Sequence, residues 1–390
     1  METIQIKSNA FKRLSTGHLW VYSNELTEIP KLKPGTIVKA VINKSNQKSF
    51  GLAFYNPHSL ISLRLLSTEK EINADFFIER IKKANSMRRE IYPNCNMYRL
   101  VFGESDLLPG LIIDRYGDYF ALQIHSAGME NLINQIIDAL IQIFPKTKGI
   151  IRKDNSHFRI IEGLQLIEEV VFGEIPENIF CEELGIKLSI SLLGQQKTGY
   201  FLDQRENRFS IRNIVKNKTV LDCYTNQGGF ALNASIAGAK EVIGLDSSST
   251  AIEKAKQNAM LNQLQNIDFI EYDVEEYFEK LFEENRKFDV IILDPPAFAK
   301  NKKSIYSALS KYSKINRMAL KLLEIGGYLI TSSCSYHIKE SEFYNAVTNE
   351  AVKQGYRLTL IQRGNQAPDH PILTCMDETN YLKFFIFKLL

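Results

Sequence analysis

The sequence predicts an α/β protein in three parts: a small N-terminal β-barrel, a mixed α+β middle domain and a C-terminal doubly wound parallel sheet. From about residue 190 onward, short apolar strands alternate with amphipathic helices, a pattern typical of repeated βαβ units. The first 70 residues are instead rich in short strand signals separated by turns. With 390 residues, the chain is too long for one ordinary core. We expect domain boundaries at 1–70, 71–188 and 189–390.

The N-terminal part contains two clear strand patterns. Residues 36–42 and 50–55 are rich in β-branched or aromatic side chains, as pleated half-buried strands require. Turn residues separate them, at 34–35, 43–47 and 56–57. Closure of such short strands into a small barrel removes their exposed edges.

Charge is distributed unevenly along the chain. Residues 1–70 hold ten Lys and Arg residues against four Asp and Glu residues, a net charge of +6, and the remaining 320 residues carry −3. A small basic module on a near-neutral body is suited to binding a polyanion such as RNA. The alternative, a solvated surface that happens to be rich in lysine, stays open from charge alone.

The middle domain is expected to mix helices and strands. A loose helical stripe covers 74–91, and residues 103–118 read as turn, strand and turn. The remaining predicted elements are a strand at 119–124, a helix at 129–144 and strands near 149–153, 167–172 and 186–192.

In the C-terminal part, four predicted strands end in aspartate. These strands run over 219–222, 241–246, 268–273 and 288–294, a further strand covers 327–332, and predicted helices cover 230–237 and 249–261. The four residues are Asp222, Asp246, Asp273 and Asp294. Ligands of open α/β sheets bind outside the carboxyl ends of the strands, so the four carboxylates are expected to face one ligand.

The ligand expected at this edge carries no phosphate. Carboxylates suit hydroxyl groups, amines and cations, and the first loop has neither Gly-x-Gly-x-x-Gly nor a Walker lysine. Gly228-Gly229 would let the backbone approach a ligand closely. Asp246 is placed for ribose hydroxyls and Asp273 for an adenine amine, so S-adenosyl-L-methionine fits. Taken singly, each aspartate is more often a turn former or helix cap.

Two loops carry candidate chemistry. Asp-Pro-Pro at 294–296 fixes the backbone beyond a strand end, but the same motif occurs where an exocyclic nitrogen is methylated. Cys334 follows the next strand. A thiolate that adds to carbon 6 of cytosine makes carbon 5 nucleophilic, so a cysteine on the ligand edge favours 5-methylcytosine chemistry. Cys223 is the rival nucleophile, whereas Cys95, Cys181 and Cys375 are expected to be structural.

Other protein classes are disfavoured. The five cysteines are an odd number without a Cys-x-x-Cys pair, so neither a disulfide framework nor a zinc site is expected. No apolar stretch reaches the length of a membrane helix, and the N-terminus lacks the layout of a signal peptide. We therefore expect a cytoplasmic protein that has no bound metal and no contact with a membrane.

The assembled motifs resemble those of the bacterial large-subunit ribosomal RNA cytosine-5 methyltransferases that carry an N-terminal PUA domain. The likeness runs nearly end to end and rests on segments 18–23, 55–59, 103–118, 197–208, 294–296, 333–335 and 367–371. It implies a Rossmann-like class I methyltransferase domain at 189–390 and large-subunit ribosomal RNA as the partner. A homodimer stays an open alternative.

The resemblance also implies roles for individual residues. Cys334 is expected to be the nucleophile, with Asp294 as the second catalytic residue. The expected donor-binding residues are Asp222, Tyr224, Gly228, Asp246, Ser247, Asp273, Asp294, Gln204 and Arg208. Two positions depart from the family pattern: Asn226-Gln227 precede the glycine pair, and Ala297 stands where a lysine is usual after Asp-Pro-Pro.

Three alternatives stay open at this point. A related enzyme that methylates a guanine or adenine nitrogen would need no thiol, so an unreactive Cys334 would favour it. A catalytically silent RNA-binding or ribosome-assembly protein would not bind the methyl donor. A small-molecule methyltransferase would leave the basic N-terminal module without a role. The group that removes the carbon-5 proton is also undecided between Asp369, His370 and a water molecule.

Overall fold

A computed structural model describes residues 1–42, 48–66, 68, 70–194, 198–299 and 301–390. The chain forms two compact units. The first consists of Met1–Cys181, Ile190–Leu202 and Pro368–Thr379, and the second of Glu182–Ser189, Asp203–Ala367 and Asn380–Leu390. Two sequence assignments lie outside the described residues: the predicted turn at 43–47 and Lys197, at the start of the segment 197–208.

The first unit begins with a five-stranded sheet of order β1-β3-β4-β5-β2. Its elements are β1 (Thr3–Ile6), α1 (Phe11–Ser15), β2 (Trp20–Tyr22), β3 (Thr36–Ile42), β4 (Lys48–Tyr55) and β5 (Ile61–Leu65). The predicted strand at 36–42 is confirmed, and the strand predicted at 50–55 begins two residues earlier. Val38, Ala53 and Leu63 are fully buried between these strands, which explains why this short segment holds a core of its own.

The same unit continues with a second five-stranded sheet, of order β10-β9-β8-β7-β6. Its elements are α2 (Ala74–Ile91), β6 (Met97–Phe102), β7 (Leu111–Tyr116), β8 (Tyr119–Ile124), α3 (Ala127–Asn131), α4 (Ile133–Ile143), β9 (Gly149–Asp154), α5 (His157–Ile161) and β10 (Ile167–Gly173). The prediction of one helix over 129–144 is wrong. Leu132, with φ −114° and ψ 14°, leaves the helical region and divides the segment into α3 and α4.

The second unit contains the parallel sheet, which has seven strands in the order β15-β14-β13-β16-β17-β19-β18. The hairpin β11 (Ile179–Glu183) and β12 (Ile186–Ile190) precedes it in the chain. The strands of the seven-stranded sheet and the helices between them are α6 (Arg205–Ser210), β13 (Thr219–Cys223), α7 (Gly229–Ile236), β14 (Glu241–Asp246), α8 (Ser249–Leu261), β15 (Ile267–Glu271), α9 (Val274–Glu283), β16 (Phe288–Leu293), α10 (Ile305–Leu322), β17 (Leu323–Ser333), α11 (Glu340–Lys353), β18 (Leu358–Gly364) and β19 (Lys383–Leu389).

The strand order creates a switch point between β13 and β16. From β13 the chain moves outward through β14 and β15, then returns to add β16 and β17 on the other side of β13. These five strands are parallel, so their carboxyl ends share one edge of the sheet, whereas β19 runs antiparallel to β17 and β18. Leu221, Leu245 and Ile291 are buried in the core of this sheet. A ligand is therefore expected to bind at the loops that follow these strands at the switch point.

Candidate active site

Left-handed backbone shapes the loop after β13. Tyr224, Asn226 and Gly228 have φ angles of 63°, 50° and 86°, a conformation that strains residues other than glycine. A Cβ added at Gly228 would lie 2.9 Å from a ring carbon of Phe269. Only glycine therefore fits at Gly228, and the chain turns tightly from the strand into α7 at the sheet edge.

Asp222 is fully buried beneath this loop. Thr225 Oγ1 and the Ala231 N–H donate to its Oδ2 at 2.5 and 2.9 Å. Its Oδ1 accepts no hydrogen bond within the described residues. Burial raises the pKa of Asp222 to about 7, and the nearby Asp294 and Asp246 carboxylates add to the rise. A buried carboxylate oxygen with an open acceptor position favours a cationic partner.

Asp246 joins the loops that follow β13 and β14. Its Oδ2 accepts from the Asn226 N–H at 2.9 Å and its Oδ1 from the Ser248 N–H at 3.0 Å. An ionised carboxylate offers about four acceptor positions, and Asp246 is only half-buried. It can therefore hold both loops and still accept hydrogen bonds from a pair of hydroxyl groups.

Asp273 and Ser247 are exposed. Asp273 is the N-cap of α9, where its Oδ1 accepts from the Glu275 and Glu276 N–H groups at 2.9 and 3.2 Å. The helix-cap interpretation thus describes Asp273 correctly, and any ligand contact would come in addition to the cap.

Asp294 lies directly after β16 and is held by two side chains. Gln204 Nε2 donates to its Oδ1 at 2.8 Å, and Ser332 Oγ donates to the same oxygen. Asn207 orients Gln204 by donating to its Oε1 at 2.6 Å. Burial raises the pKa of Asp294 to about 6. Both donors bind Oδ1, and neither of these hydrogen bonds involves Oδ2.

Buried hydroxyl groups fix the loop that carries Cys334. Ser333 Oγ donates to Tyr312 Oη at 3.0 Å, and Ser335 Oγ lies 3.0 Å from the same oxygen. Ser335 Oγ also accepts from the Ala299 N–H at 3.2 Å. Ser333 and Ser335 are fully buried, whereas Cys334 between them is half-buried. The Asp-Pro-Pro loop and the cysteine loop are thereby tied together at neighbouring strand ends.

The other predicted residues occupy different surroundings. Arg208 is buried and donates to both oxygens of Glu183, at 2.9 and 2.7 Å, so it pairs with a protein carboxylate. Cys223 is fully buried, which raises its thiol pKa well above the ordinary value. Burial likewise raises the pKa of Cys181 to about 12. A thiol that stays protonated is a poor nucleophile, which separates Cys223 and Cys181 from the half-buried Cys334.

The two candidate proton acceptors belong to the first unit, whereas Cys334 belongs to the second. His370 Nδ1 lies 2.9 Å from Asp369 Oδ1, and Asp369 Oδ2 accepts from the Arg99 N–H at 3.0 Å. Arg88 donates to the Asp369 carbonyl at 3.0 Å. These contacts fix Asp369 within the first unit and place His370 beside it.

Sequence reasoning missed three residues that build the site, Ser332, Asn207 and Tyr312, and a lysine bound to the cysteine loop, Lys383. Ser332 reaches Asp294 only when β17 pairs with β16, and Tyr312 reaches Ser333 and Ser335 only when α10 packs against β17. Lys383 was the one residue with a local signal, because it is a lysine at the start of the apolar strand Lys383–Leu389. A charged residue at a buried strand position calls for a partner.

The residues that the structure describes bear on metal binding and on membrane insertion. Among them, no cluster of three or more His, Cys, Asp and Glu side chains is arranged to hold a metal ion. No helix in the described ranges is both long and apolar enough to cross a membrane. The described groups at the sheet edge are carboxylates, hydroxyls, a glutamine and thiols.

Comparisons with known proteins match this architecture. A family model described as a methyltransferase domain matches residues 214–373, and one described as a PUA-like domain matches residues 4–68. The ribosomal RNA large subunit methyltransferase I of Vibrio vulnificus is 38% identical over 384 residues, which cover 96% of each chain. The chain belongs to the ribosomal RNA large subunit methyltransferase I family. The Tolumonas auensis member is 36% identical over 394 residues and 99% of each chain.

Solved structures support the fold of this family member. A crystal structure of a methyltransferase complexed with SAH superimposes with a TM-score of 0.87, at 24% identity and over 100% of both chains. A structure described as a SAM-dependent methyltransferase from Streptococcus mutans gives a TM-score of 0.85, again at 24% identity over 100% of both chains. At this identity the likeness shows the α/β methyltransferase fold alone.

Proposed function

We propose that this member of the family transfers a methyl group from S-adenosyl-L-methionine to carbon 5 of a cytosine in large-subunit ribosomal RNA, with Cys334 as the nucleophile. The observation that carries this proposal is the clamped Ser-Cys-Ser loop at 333–335. It presents a half-buried thiol two residues after Ser332, whose hydroxyl donates to Asp294. An enzyme that methylates a ring nitrogen would need no such thiol.

The loops after β13 and β14 fit the methyl donor. Asp246 would accept from the ribose hydroxyls, Gly228 lets the backbone approach, and Asp222 Oδ1 offers a buried anionic oxygen to the cationic end. Asp273, Ser247 and Tyr224 would line the adenine side. When bound, the donor supplies an electrophilic methyl group on a positively charged sulfur. The solved structure complexed with SAH, which shares this fold, supports S-adenosyl-L-methionine as the donor.

Cys334 would supply the electrons for the reaction. Its thiolate adds to carbon 6 of the cytosine, and the electron pair of the carbon 5–carbon 6 double bond becomes available at carbon 5. Carbon 5 forms its bond to the methyl group. A base then takes the proton from carbon 5, the carbon 5–carbon 6 double bond re-forms, and the sulfur leaves as a thiolate. The cysteine is thus regenerated in every turnover.

Asp294 would steady the cytosine during the addition. Electron density rises at nitrogen 3 of the base as the carbon–sulfur bond forms, and a protonated carboxyl can donate there. Because burial raises the pKa of Asp294 to about 6, part of the population is protonated near neutral pH. Gln204 and Ser332 hold Oδ1, which leaves Oδ2 for the base. The basic PUA-like part would contribute contacts to RNA phosphates.

A trapping experiment tests this function. Large-subunit ribosomal RNA transcribed with 5-fluorocytosine is incubated with the full chain and S-adenosyl-L-methionine. Fluorine at carbon 5 cannot leave as a proton, so elimination stalls and a covalent complex is expected, with its peptide adduct at Cys334. In unmodified RNA, mass spectrometry should find 5-methylcytosine. Methylation of a guanine or adenine nitrogen, with no trapped complex, would replace the proposal with the nitrogen-methylating alternative.

A further inference from the structure

Lys383 is a buried lysine that neither the sequence motifs nor the proposed reaction uses. It is the first residue of β19 and only 7% exposed. In the antiparallel pairing of β17 with β19, its Cα lies opposite Ser333, the residue before Cys334. Its Nζ donates to the Ser335 carbonyl at 2.6 Å and to the Tyr381 carbonyl at 2.8 Å. Its amine is therefore bound to the loop that carries Cys334.

The two hydrogen bonds to carbonyl oxygens occupy two positions of the amine and leave its third position undecided. A charged lysine has three N–H donors, whereas a neutral one has two donors and a lone pair. Both carbonyl contacts can be kept in either state, so only the remaining position changes when a proton arrives or leaves. Cys334 directly precedes Ser335, whose carbonyl binds the amine, and a negative charge on Cys334 acts on Lys383. The amine is thus fixed at the loop segment that carries this thiol.

We propose that Lys383 and Cys334 share one proton, and that Lys383 thereby holds Cys334 as a thiolate. The proton moves from Sγ to the lone pair of Nζ, which leaves a thiolate and an ammonium group and conserves the total charge of the pair. After carbon 6 releases the sulfur, the same ammonium stabilises the returning thiolate. Lys383 acts through Cys334 and needs no contact with the RNA base.

The surroundings of the pair support this exchange. Burial lowers the pKa of Lys383 to about 8, into the range of a thiol, while the negative charges of Cys334, Glu340 and Glu342 act in the opposite direction. Tyr312 also faces Cys334, but burial raises its pKa to about 12, so its hydroxyl stays protonated near neutral pH. Of Tyr312 and Lys383, the lysine is the group whose pKa lies near that of a thiol, so it can accept the thiol proton.

The test measures the thiol directly, without RNA or methyl donor. Full-length protein is alkylated with iodoacetamide between pH 5.5 and 10, and the Cys334 peptide is quantified by mass spectrometry. An unperturbed thiol gives a midpoint at a pH of about 8.5. In the natural protein we expect a midpoint at least one pH unit lower. A midpoint at or above that of an ordinary thiol would overturn the proposal without any variant.

Variants then assign the effect to the lysine. Lys383→Met should raise the midpoint by about one pH unit or more and slow alkylation at neutral pH about tenfold. Lys383→Arg keeps a positive charge and should retain a low midpoint. Lys388→Met is the matched control, because Lys388 lies on the same strand but pairs with Tyr328. Equal midpoints for Lys383→Met and the natural protein would contradict the proposal.

The inference deepens the proposed function but can fail separately from it. It rests on the proposed role of Cys334 only for its consequence in methyl transfer, since alkylation needs no substrate. A low midpoint together with an absence of RNA trapping would keep the proton-sharing pair and remove the cytosine chemistry. RNA trapping together with an unchanged midpoint in Lys383→Met would keep the cytosine chemistry and remove the proton-sharing pair.

Discussion

Two cysteines at the same edge of the sheet have opposite surroundings. Cys223 ends β13 and is fully buried, so its thiol is held in the protonated form. Cys334 follows β17 in a loop whose neighbouring serines are buried and bonded, which leaves its own side chain half-buried. The loop after β13 has left-handed backbone and is held by a hydrogen bond to Asp246. The loop after β17 is held by hydrogen bonds between side-chain hydroxyl groups. In the proposed function, binding of the donor and reaction with the base therefore belong to different loops of one edge.

The largest expected effect separates the two thiols. Cys334→Ala should reduce methyl transfer by at least about a thousandfold, because the nucleophile is gone. Cys223→Ala should leave turnover within about twofold and lower the free energy of unfolding by about 1 kcal/mol. Single-turnover assays with radiolabelled donor and thermal unfolding measure the two effects. Near-normal turnover by Cys334→Ala would show that thiolate addition is wrong.

The second effect concerns the acid at the reacting loop. Asp294→Asn should slow transfer about a hundredfold, because an amide cannot give a proton to the base. Since the pKa of Asp294 is raised to about 6, the protonated form is lost as pH rises through that value. The rate in the natural protein should therefore carry a falling limb above about pH 6, which the Asn variant lacks. Calorimetry should show nearly unchanged donor affinity, and pH profiles with the same limb in both proteins would remove this role.

The third effect compares two aspartates of the donor loops. Asp246→Ala should weaken donor binding tenfold or more, because each charge-assisted hydrogen bond contributes about 1.5–3 kcal/mol. Asp273 is exposed and caps α9, so Asp273→Ala should weaken binding less and lower stability by about 1 kcal/mol through loss of the cap. Calorimetry with S-adenosyl-L-methionine decides between them. Equal affinity losses would mean that Asp246 is not the ribose ligand.

The smallest effect tests the shape of the glycine turn. Gly228→Ala meets both a positive φ of 86° and the Phe269 ring, so it should lower donor affinity severalfold and destabilise the protein by about 1–2 kcal/mol. Gly185→Ala is the control, because Gly185 has a similar φ of 85° but nothing within 4 Å of the added Cβ. It should cost stability without changing donor affinity. Identical affinities for both variants would show that the contact with Phe269 does not shape the donor site.

Much of the candidate site was predictable because strand periodicity and strand ends are local properties. The strand pattern placed Asp246 at the last position of β14 and Asp294 directly after β16, where the structure has them. The break at Leu132 was not predictable, because apolar periodicity continues across it although the backbone leaves the helical region. The buried ion pair of Arg208 with Glu183 could not be predicted from the sequence either, because its members lie 25 positions apart.

The sequence by itself determined the α/β architecture, the family motifs and which residue types stand at the strand ends. These follow from periodicity and composition, which a linear pattern contains. Only the tertiary structure decided which groups meet: Tyr312 with both serines around Cys334, Ser332 with Asp294, and Lys383 with the Ser335 carbonyl. These contacts join residues 21 to 48 positions apart, and packing of β17 against its neighbours, rather than local propensity, brings them together.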